Sequence, residues 1–431
     1  MVRFTLFATL LAVGCSTDRP TSEPWFTEVV PTDITVVGAR YDADGTLHVL
    51  GYSQAGTIHY GQWDDDARGL DWSDAMTFEL DGAAWAPEAG SLLSASRLDL
   101  AVQPDTDDVW VWIDGYAGSI DTSGTQVTFS AAFPPHDAVD RRPAEGGLVF
   151  LEQDRLLMSQ GDNTIQQTMA IVPTNDLNSS PEAFLINGQD FPPFCAADVG
   201  GGMIHATLCD GRRFVFDLTT QEQIGFTGGD EDEDVSHPSL MSGVADEWIV
   251  GEGLEPAACV GLRSPDGRAL QDSGKYRSEG TCYGMDAPLG RVQGGDIRED
   301  GDQFAVHYAN GLFLVLDRNA PSNRERDLTG DWCSGNASFS LAETGSFGPP
   351  DNYRTDRDLF NDITWRRRGE ALRIDYRGLT PANFAWEGDV HVEHWARRTG
   401  DTLTVKTYTH EKFETDGAGL SQLTGVYVLC P

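Results

Sequence analysis

The densest group of metal-ligand side chains in this chain is His391-Val392-Glu393-His394. On a strand, His391 and Glu393 share one face and His394 points to the other. The first two could hold a metal ion with His410, or line a barrel interior; the competing reading is a polar outer strand face. The acidic run Asp230-Glu231-Asp232-Glu233-Asp234 offers Asp230, Asp232 and Asp234 as oxygen donors. Calcium takes several carboxylates in a flexible loop. The run lacks the glycine and spacing of an EF-hand loop, so a solvated loop after Gly228-Gly229 competes with that reading. Asp64-Asp65-Asp66 and Asp105-Thr106-Asp107-Asp108 stand in the same position. Nucleophilic catalysis has no support. Gly51-Tyr52-Ser53-Gln54-Ala55-Gly56 is one residue too long for a nucleophile elbow and falls between strands. P-loop, dinucleotide and H-E-x-x-H patterns are missing, so no cofactor other than calcium is expected.

Seven cysteines are present, and an odd count in an exported chain calls for an explanation. Setting Cys15 aside leaves Cys195, Cys209, Cys259, Cys282, Cys333 and Cys430, which read as three local disulfides in an oxidising compartment. Six cysteines allow fifteen pairings. Turn chemistry favours one. Cys195 and Cys209 flank Gly200-Gly201-Gly202, and Cys259 and Cys282 flank Ser264-Pro265-Asp266-Gly267. Cys333 and Cys430 then tie the first strand of the C-terminal segment to its last. A zinc site is the rival, but neither a C-x-x-C pair nor a Cys/His cluster at zinc spacing is present.

The N-terminus explains Cys15. Arg3 precedes an apolar run from Phe4 to Val13, followed by Gly14. That is the layout of a secretory signal, and the run is too short to span a bilayer, which takes about 20 apolar residues. Ala12-Val13-Gly14-Cys15 resembles the lipobox of bacterial lipoproteins, with Ala12 where that family most often has leucine. The resemblance implies cleavage before Cys15, acylation of its thiol, and, with Ser16 next, sorting to an outer membrane if the cell has one. Residues 1–14 are then the signal peptide and 15–29 a lipidated polar tether, opened by the Pro-bearing Ser16–Pro24.

Charge narrows the partners. The formal net charge is −38, and 27 of the 30 basic residues are arginine. From Cys15 to Arg326 the net is −34, and from Asp327 to Pro431 it is −5. Such a surface repels phosphate backbones and anionic headgroups, which excludes nucleic acid as a partner.

These residues must be positioned by strands. Between Val30 and Asp317, six segments repeat a short apolar strand, an Asp or Gly turn and an alternating strand: 34–52, 97–114, 146–160, 201–218, 239–253 and 294–317. Alternation of this kind signals antiparallel hairpins. The turn residues Asp44, Asp107, Asp154, Asp210, Asp246 and Asp300 have a mean spacing near the 40–50 residues of propeller blades. The stretch resembles β-propellers in rhythm, without a WD or sialidase box. The expected fold is all-β: a six- or seven-bladed β-propeller-like domain over 30–320, with further hairpins in 60–90 and 115–140. A sandwich pair or β-helix is the alternative. A small antiparallel β-barrel or sandwich follows over 325–431, opened by Gly330-Asp331-Trp332, which resembles a lipocalin-like entry strand. An apolar interior there would suit a small-molecule carrier. The leading expectation is a lipid-anchored envelope protein, binding or structural, for an extracytoplasmic protein or glycan. The alternative is a glycan- or lactone-acting enzyme with an acidic funnel and a metal ion.

Overall fold

The computed structural model describes residues 26–29, 33–87, 98–129, 145–161, 168–227, 241–317 and 328–430, apart from loop positions within those spans and part of the side chains, including those of 241–291 and 360–391. The hairpins form where Asp and Gly close the turn. After Ile34–Tyr41, the Gly45 N–H donates to the Asp42 carbonyl at 3.0 Å. Asp42 Oδ1 accepts the Thr46 N–H at 2.7 Å, and the chain returns as Leu47–Ser53. Gly45 has φ 85°, a conformation open to glycine without steric strain.

Six sheets make up the ring among the described residues, each beginning at its innermost strand. Those strands are Ile34–Tyr41, Leu98–Val102, Glu145–Glu152, Phe194–Gly200, Met241–Val244 and Val292–Ile297. Each touches the next, and the sixth touches the first, so the ring is closed. The last sheet is completed from the other end of the chain: Phe26–Val29 pairs antiparallel with Phe313–Asp317. This is the architecture of a β-propeller. Phe26–Val29 falls within the stretch expected to be tether. Four residues beside a polar segment are too few to show alternation, so the strand is set by its partner and not by local pattern.

The inner strands Ile34–Tyr41 and Leu98–Val102 bury both faces, with five and four consecutive buried residues. Val37 packs with Leu98 and Leu100 of the second sheet, and Val36 with Phe313 and Val315 of the sixth. Among the described residues, neither 60–90 nor 115–140 adds a seventh sheet to the ring. Ile58–Asp64 and Gly69–Trp72 complete the first sheet. Thr77–Leu80, Ala83–Trp85 and Gln126–Phe129 form a small sheet. It lies on the second through Phe78, Trp85, Tyr116 and Phe129, with ring centroids 5.4 to 6.0 Å apart.

From Gly330 the chain forms one eight-stranded antiparallel sheet. Gly330–Ser334 lies between Ala337–Leu341 and the last strand, Gly425–Leu429. The two end strands, Phe347–Gly348 and Phe360–Arg368, are neighbours in sequence and in space, so the sheet curls into a barrel. Trp332, Phe339, Leu403 and Tyr427 fill its described core, which takes support from the carrier reading. The seam between the first and last strands has two registered pairs, Trp332↔Leu429 and Cys333↔Val428, and the Cys333–Cys430 disulfide staples it. The bond closes a loop with a sequence separation of 97, so Cys333→Ser with Cys430→Ser is expected to destabilise the barrel by about 2–5 kcal/mol. Urea unfolding read on barrel peptides checks this.

The barrel rests on the propeller. Trp395 alternates with Ala396, which joins the barrel core, so it points outward, yet it is 1 % exposed. Its strand, Val392–Thr399, touches Phe26–Val29. Alongside, Arg397 Nη2 donates to the Ala67 carbonyl at 3.0 Å. The Lys406 ammonium lies 5.6 Å from the Tyr408 ring centroid, and burial lowers its pKa against the pull of Asp33.

Candidate functional site at the propeller axis

Three inner strands carry an aspartate between apolar or small neighbours: Leu98-Asp99-Leu100, Ala197-Asp198-Val199 and Gly295-Asp296-Ile297, spaced 99 and 98 residues apart. They lie on the second, fourth and sixth sheets, so every other sheet has one. Their carboxylates accept backbone N–H groups. Asp99 Oδ1 takes that of Leu100 at 2.8 Å, and Oδ2 takes that of Leu148, in the third sheet, at 3.0 Å. Asp296 Oδ2 takes that of Tyr41, in the first sheet, at 2.7 Å. Asp198 Oδ1 takes that of Val199 at 2.8 Å. Asp99 and Asp296 therefore stitch one sheet to the next.

Leu148 and Tyr41 donate equivalently, which makes the residues before them, Gly147 and Arg40, counterparts. A Cβ at Gly147 would stand 2.8 Å from Asp99 Oδ2, so glycine is what leaves room for the carboxylate. Arg40 instead sends its side chain across the ring. Nη1 donates to the carbonyls of Ala39 at 2.9 Å and Gly295, in the sixth sheet, at 3.1 Å. Nη2 donates to the Ala197 carbonyl of the fourth sheet at 3.4 Å and lies 3.9 Å from Asp99 Oδ1 of the second. One guanidinium thus engages inner strands of four sheets, and its carboxylate partner adds the third. Arg40 is 8 % exposed and Asp99 4 %.

The electrostatics follow from this burial. Asp99 is pushed up to about 6 by loss of solvent, against the opposing pull of Arg40 and the two N–H donors. His307, on Gln303–Tyr308 of the sixth sheet, is driven down to about 3 by burial and by the Arg40 charge, so it is neutral. A Cβ on Gly294 would come within 2.2 Å of His307 Nε2; the ring occupies the space that glycine provides.

The axis therefore gathers a carboxylate, a guanidinium and a neutral imidazole from three sheets. Paired-carboxylate chemistry needs a second acid beside the first. Among the described residues no group of three or more His, Cys, Asp or Glu is arranged to hold a metal ion. The polar atoms of Arg40 and Asp99 are directed at backbone groups of their own and other inner strands and at each other, and these contacts hold the ring together.

Cys15, Cys209, Asp230, Asp232, Asp234, His391 and His410 lie outside the described residues. Cys259 and Cys282 sit on Ala257–Arg263 and Thr281–Cys282, with side chains outside the description. Cys195 is disulfide-bonded. Its strand forms a hairpin with Met203–Leu208 in which Gly200 pairs with Met203, the turn that a bond to Cys209 requires. Glu393 stands opposite Tyr408 and Asp375 in register. His394 is a core residue of the barrel: Nδ1 lies 2.8 Å from Thr407 Oγ1, and burial holds its pKa down to about 3. Asp64 Oδ1 accepts the N–H groups of Asp66 and Ala67, both at 2.8 Å. Asp65 Oδ1 accepts the Trp63 indole at 2.8 Å and the Gln303 amide at 3.2 Å, so it bridges the first and sixth sheets.

Period-two alternation hid Arg40 and Asp99, because it assigns charged strand positions to the solvent face. The available signal was the apolar–Asp–apolar triplet recurring near every 98 residues.

Fold and axis together define an all-β chain: a propeller-like ring, of six sheets among the described residues, followed by one curled eight-stranded antiparallel sheet. No protein-family model and no curated protein sequence matches the chain. Among solved structures, it is similar to the RRP9 WD40 repeats at 8 % identity and TM-score 0.38, covering 68 % of this chain and 98 % of that one. It is also similar to a chain of the mitotic checkpoint complex at 11 % identity and TM-score 0.40, covering 74 % and 98 %.

Proposed function

We propose that this chain is a lipid-anchored envelope protein, acylated at Cys15 and sorted to an outer membrane, whose propeller serves as a binding or structural module for an extracytoplasmic protein or glycan. The observation that carries the binding half is the use of the axis. Arg40 spends its donors on Ala39, Gly295 and Ala197, and Asp99 spends its oxygens on Leu100 and Leu148. Groups committed to backbone make a rigid scaffold, and a rigid scaffold favours recognition through its loops and edges. The anchor half rests on Ala12-Val13-Gly14-Cys15 and the odd cysteine. With Phe26–Val29 folded into the sixth sheet, the tether shortens to residues 15–25, a reach of roughly 35–40 Å fully extended. In this reading Cys195–Cys209 and Cys259–Cys282 are the remaining disulfides, which peptide mapping without reduction checks.

Cys15→Ala is expected to move the protein from the membrane to the soluble fraction and to abolish labelling by radioactive palmitate; attachment that survives the change would remove the anchor from the account. Calorimetric titration against a glycan panel is expected to show binding without turnover. Hydrolysis of a glycan or lactone by the native protein, lost in a folded Asp99→Asn variant, would replace the binding reading with an enzymatic one.

A further inference from the structure

Between the third and fourth sheets lies a cleft of about 230 Å³, lined by Glu152, Arg155, Thr219 and Gln221 above the apolar side chains of Ile171 and Phe184. Ile171 is 3 % exposed and Phe184 2 %, so a guest meets mainly polar groups. We propose that this cleft binds one neutral sugar ring, a proposal that rests on the binding-module reading and commits it to a glycan and to a site. Small-molecule sites commonly enclose about 300–1,000 Å³; this volume falls below that range and suits a single pyranose ring, with the rest of a glycan chain lying outside it.

The lining decides the class of guest. The Glu152 carboxylate accepts hydrogen bonds, the Arg155 guanidinium donates them, and the Thr219 hydroxyl and Gln221 amide do both. A ring of hydroxyls uses that mixture, because each hydroxyl donates and accepts; an ion of either sign uses only half of it. Arg155 keeps its donors for a guest. It lies 3.7 Å from Glu152 and 3.8 Å from Glu182, contacts longer than hydrogen bonds, so the two carboxylates compensate its charge without occupying its N–H groups. Two glutamates face one arginine, and next to Leu218 the N–H groups of Thr220 and Thr219 hold Asp217 ionised below the usual carboxylate range. The local excess is negative, as is the −38 of the whole chain, which disfavours uronic acids and phosphorylated sugars.

The cleft is set before a guest arrives. Gln221 has φ 55° and Asn187 φ 51°, left-handed conformations that residues with a side chain seldom adopt. Each is held by hydrogen bonds. The Gln221 N–H donates to the Asp217 carbonyl at 2.9 Å, the Asn187 N–H to the Gln221 carbonyl at 2.9 Å, and the Gln223 N–H to Asn187 Oδ1 at 3.2 Å. The segment that follows the third sheet is thereby locked to the turn that carries Thr219 and Gln221, and that turn loses little freedom on binding.

The probes are methyl glucoside, methyl galactoside and methyl mannoside, with methyl glucuronide as the charged control, each titrated into the full chain by saturation-transfer NMR and calorimetry. At least one neutral glycoside is expected to bind, about tenfold or more tighter than the glucuronide. Thr219→Trp, which fills the mouth of the cleft, is expected to abolish that binding at unchanged Tm. Arg155→Met and Gln221→Gly are each expected to weaken it about tenfold, the loss that goes with one or two hydrogen bonds; glycine takes the φ of Gln221 without strain. No binding by any of the three neutral glycosides, or equal binding of the glucuronide, overturns the proposal. Binding of a glycan or protein that survives Thr219→Trp overturns the cleft while sparing the binding-module reading.

Discussion

Asp99→Ala is expected to destabilise the propeller by about 3–5 kcal/mol, the range for removing one partner of a buried pair. Most of that loss comes from what is left behind and little from the attraction removed. Burial raises the Asp99 pKa to about 6 even with Arg40 3.9 Å away, so desolvation outweighs the ion pair at neutral pH. Truncation leaves Arg40 in the ring without a counter-charge and deprives the N–H of Leu148 of its acceptor. Hydrogen exchange should show the effect first on the inner strands Leu98–Val102 and Glu145–Glu152. Equal loss spread over the barrel would contradict it.

Acid is expected to open the barrel before the propeller. His394 and His307 have folded pKa values of about 3 against an ordinary 6.5. Below pH 6.5 the unfolded chain takes up protons that the folded chain refuses, so their stabilisation is complete above that pH and is lost as the pH falls toward 3. At pH 4 the loss is about 3 kcal/mol for each histidine. In the propeller Asp99 acts in the opposite direction. Its folded value of about 6 lies above the ordinary 3.8, so between those values the folded state gains protons first and recovers about 2–3 kcal/mol on acidification. The cause of the His394 shift is burial. Exchange at pH 4 should therefore expose Val392–Thr399 and Thr402–Thr409 while the inner strands stay protected. His394→Leu should flatten the acid response of the barrel, and an unchanged acid midpoint in that variant would contradict the assignment.

Much of the ring was legible in the chain. Segments such as 34–52 and 146–160 announce themselves because Asp and Gly fix the reversal and one face of each strand alternates. The Cys333–Cys430 staple was readable from the placement of its cysteines at the two ends of the segment. Three features were not readable, each for a physical reason. Phe26–Val29 becomes a strand through its non-local partner, Phe313–Asp317. The stretch 60–90 contains strands as expected, but its Ile58–Asp64 and Gly69–Trp72 extend an existing sheet instead of starting one, a choice that sequence rhythm does not encode. Arg40, Asp99 and His394 are polar residues buried where alternation expects solvent or apolar groups; the recurring Asp triplet hints at Asp99, and contacts reveal the other two: Arg40 reaches carbonyls in three sheets. His394 lies against Thr407 inside the barrel.

The Arg40–Asp99 clasp is what holds the scaffold together at its axis. A double-mutant cycle tests it most directly, with Arg40→Met, Asp99→Leu and both together compared by urea unfolding. Replacing both partners of a buried pair with apolar residues of similar size is commonly near neutral, so the double variant is expected to recover to within about 1–2 kcal/mol of the native chain while each single variant loses several. A double variant as unstable as the sum of the two singles would contradict the clasp.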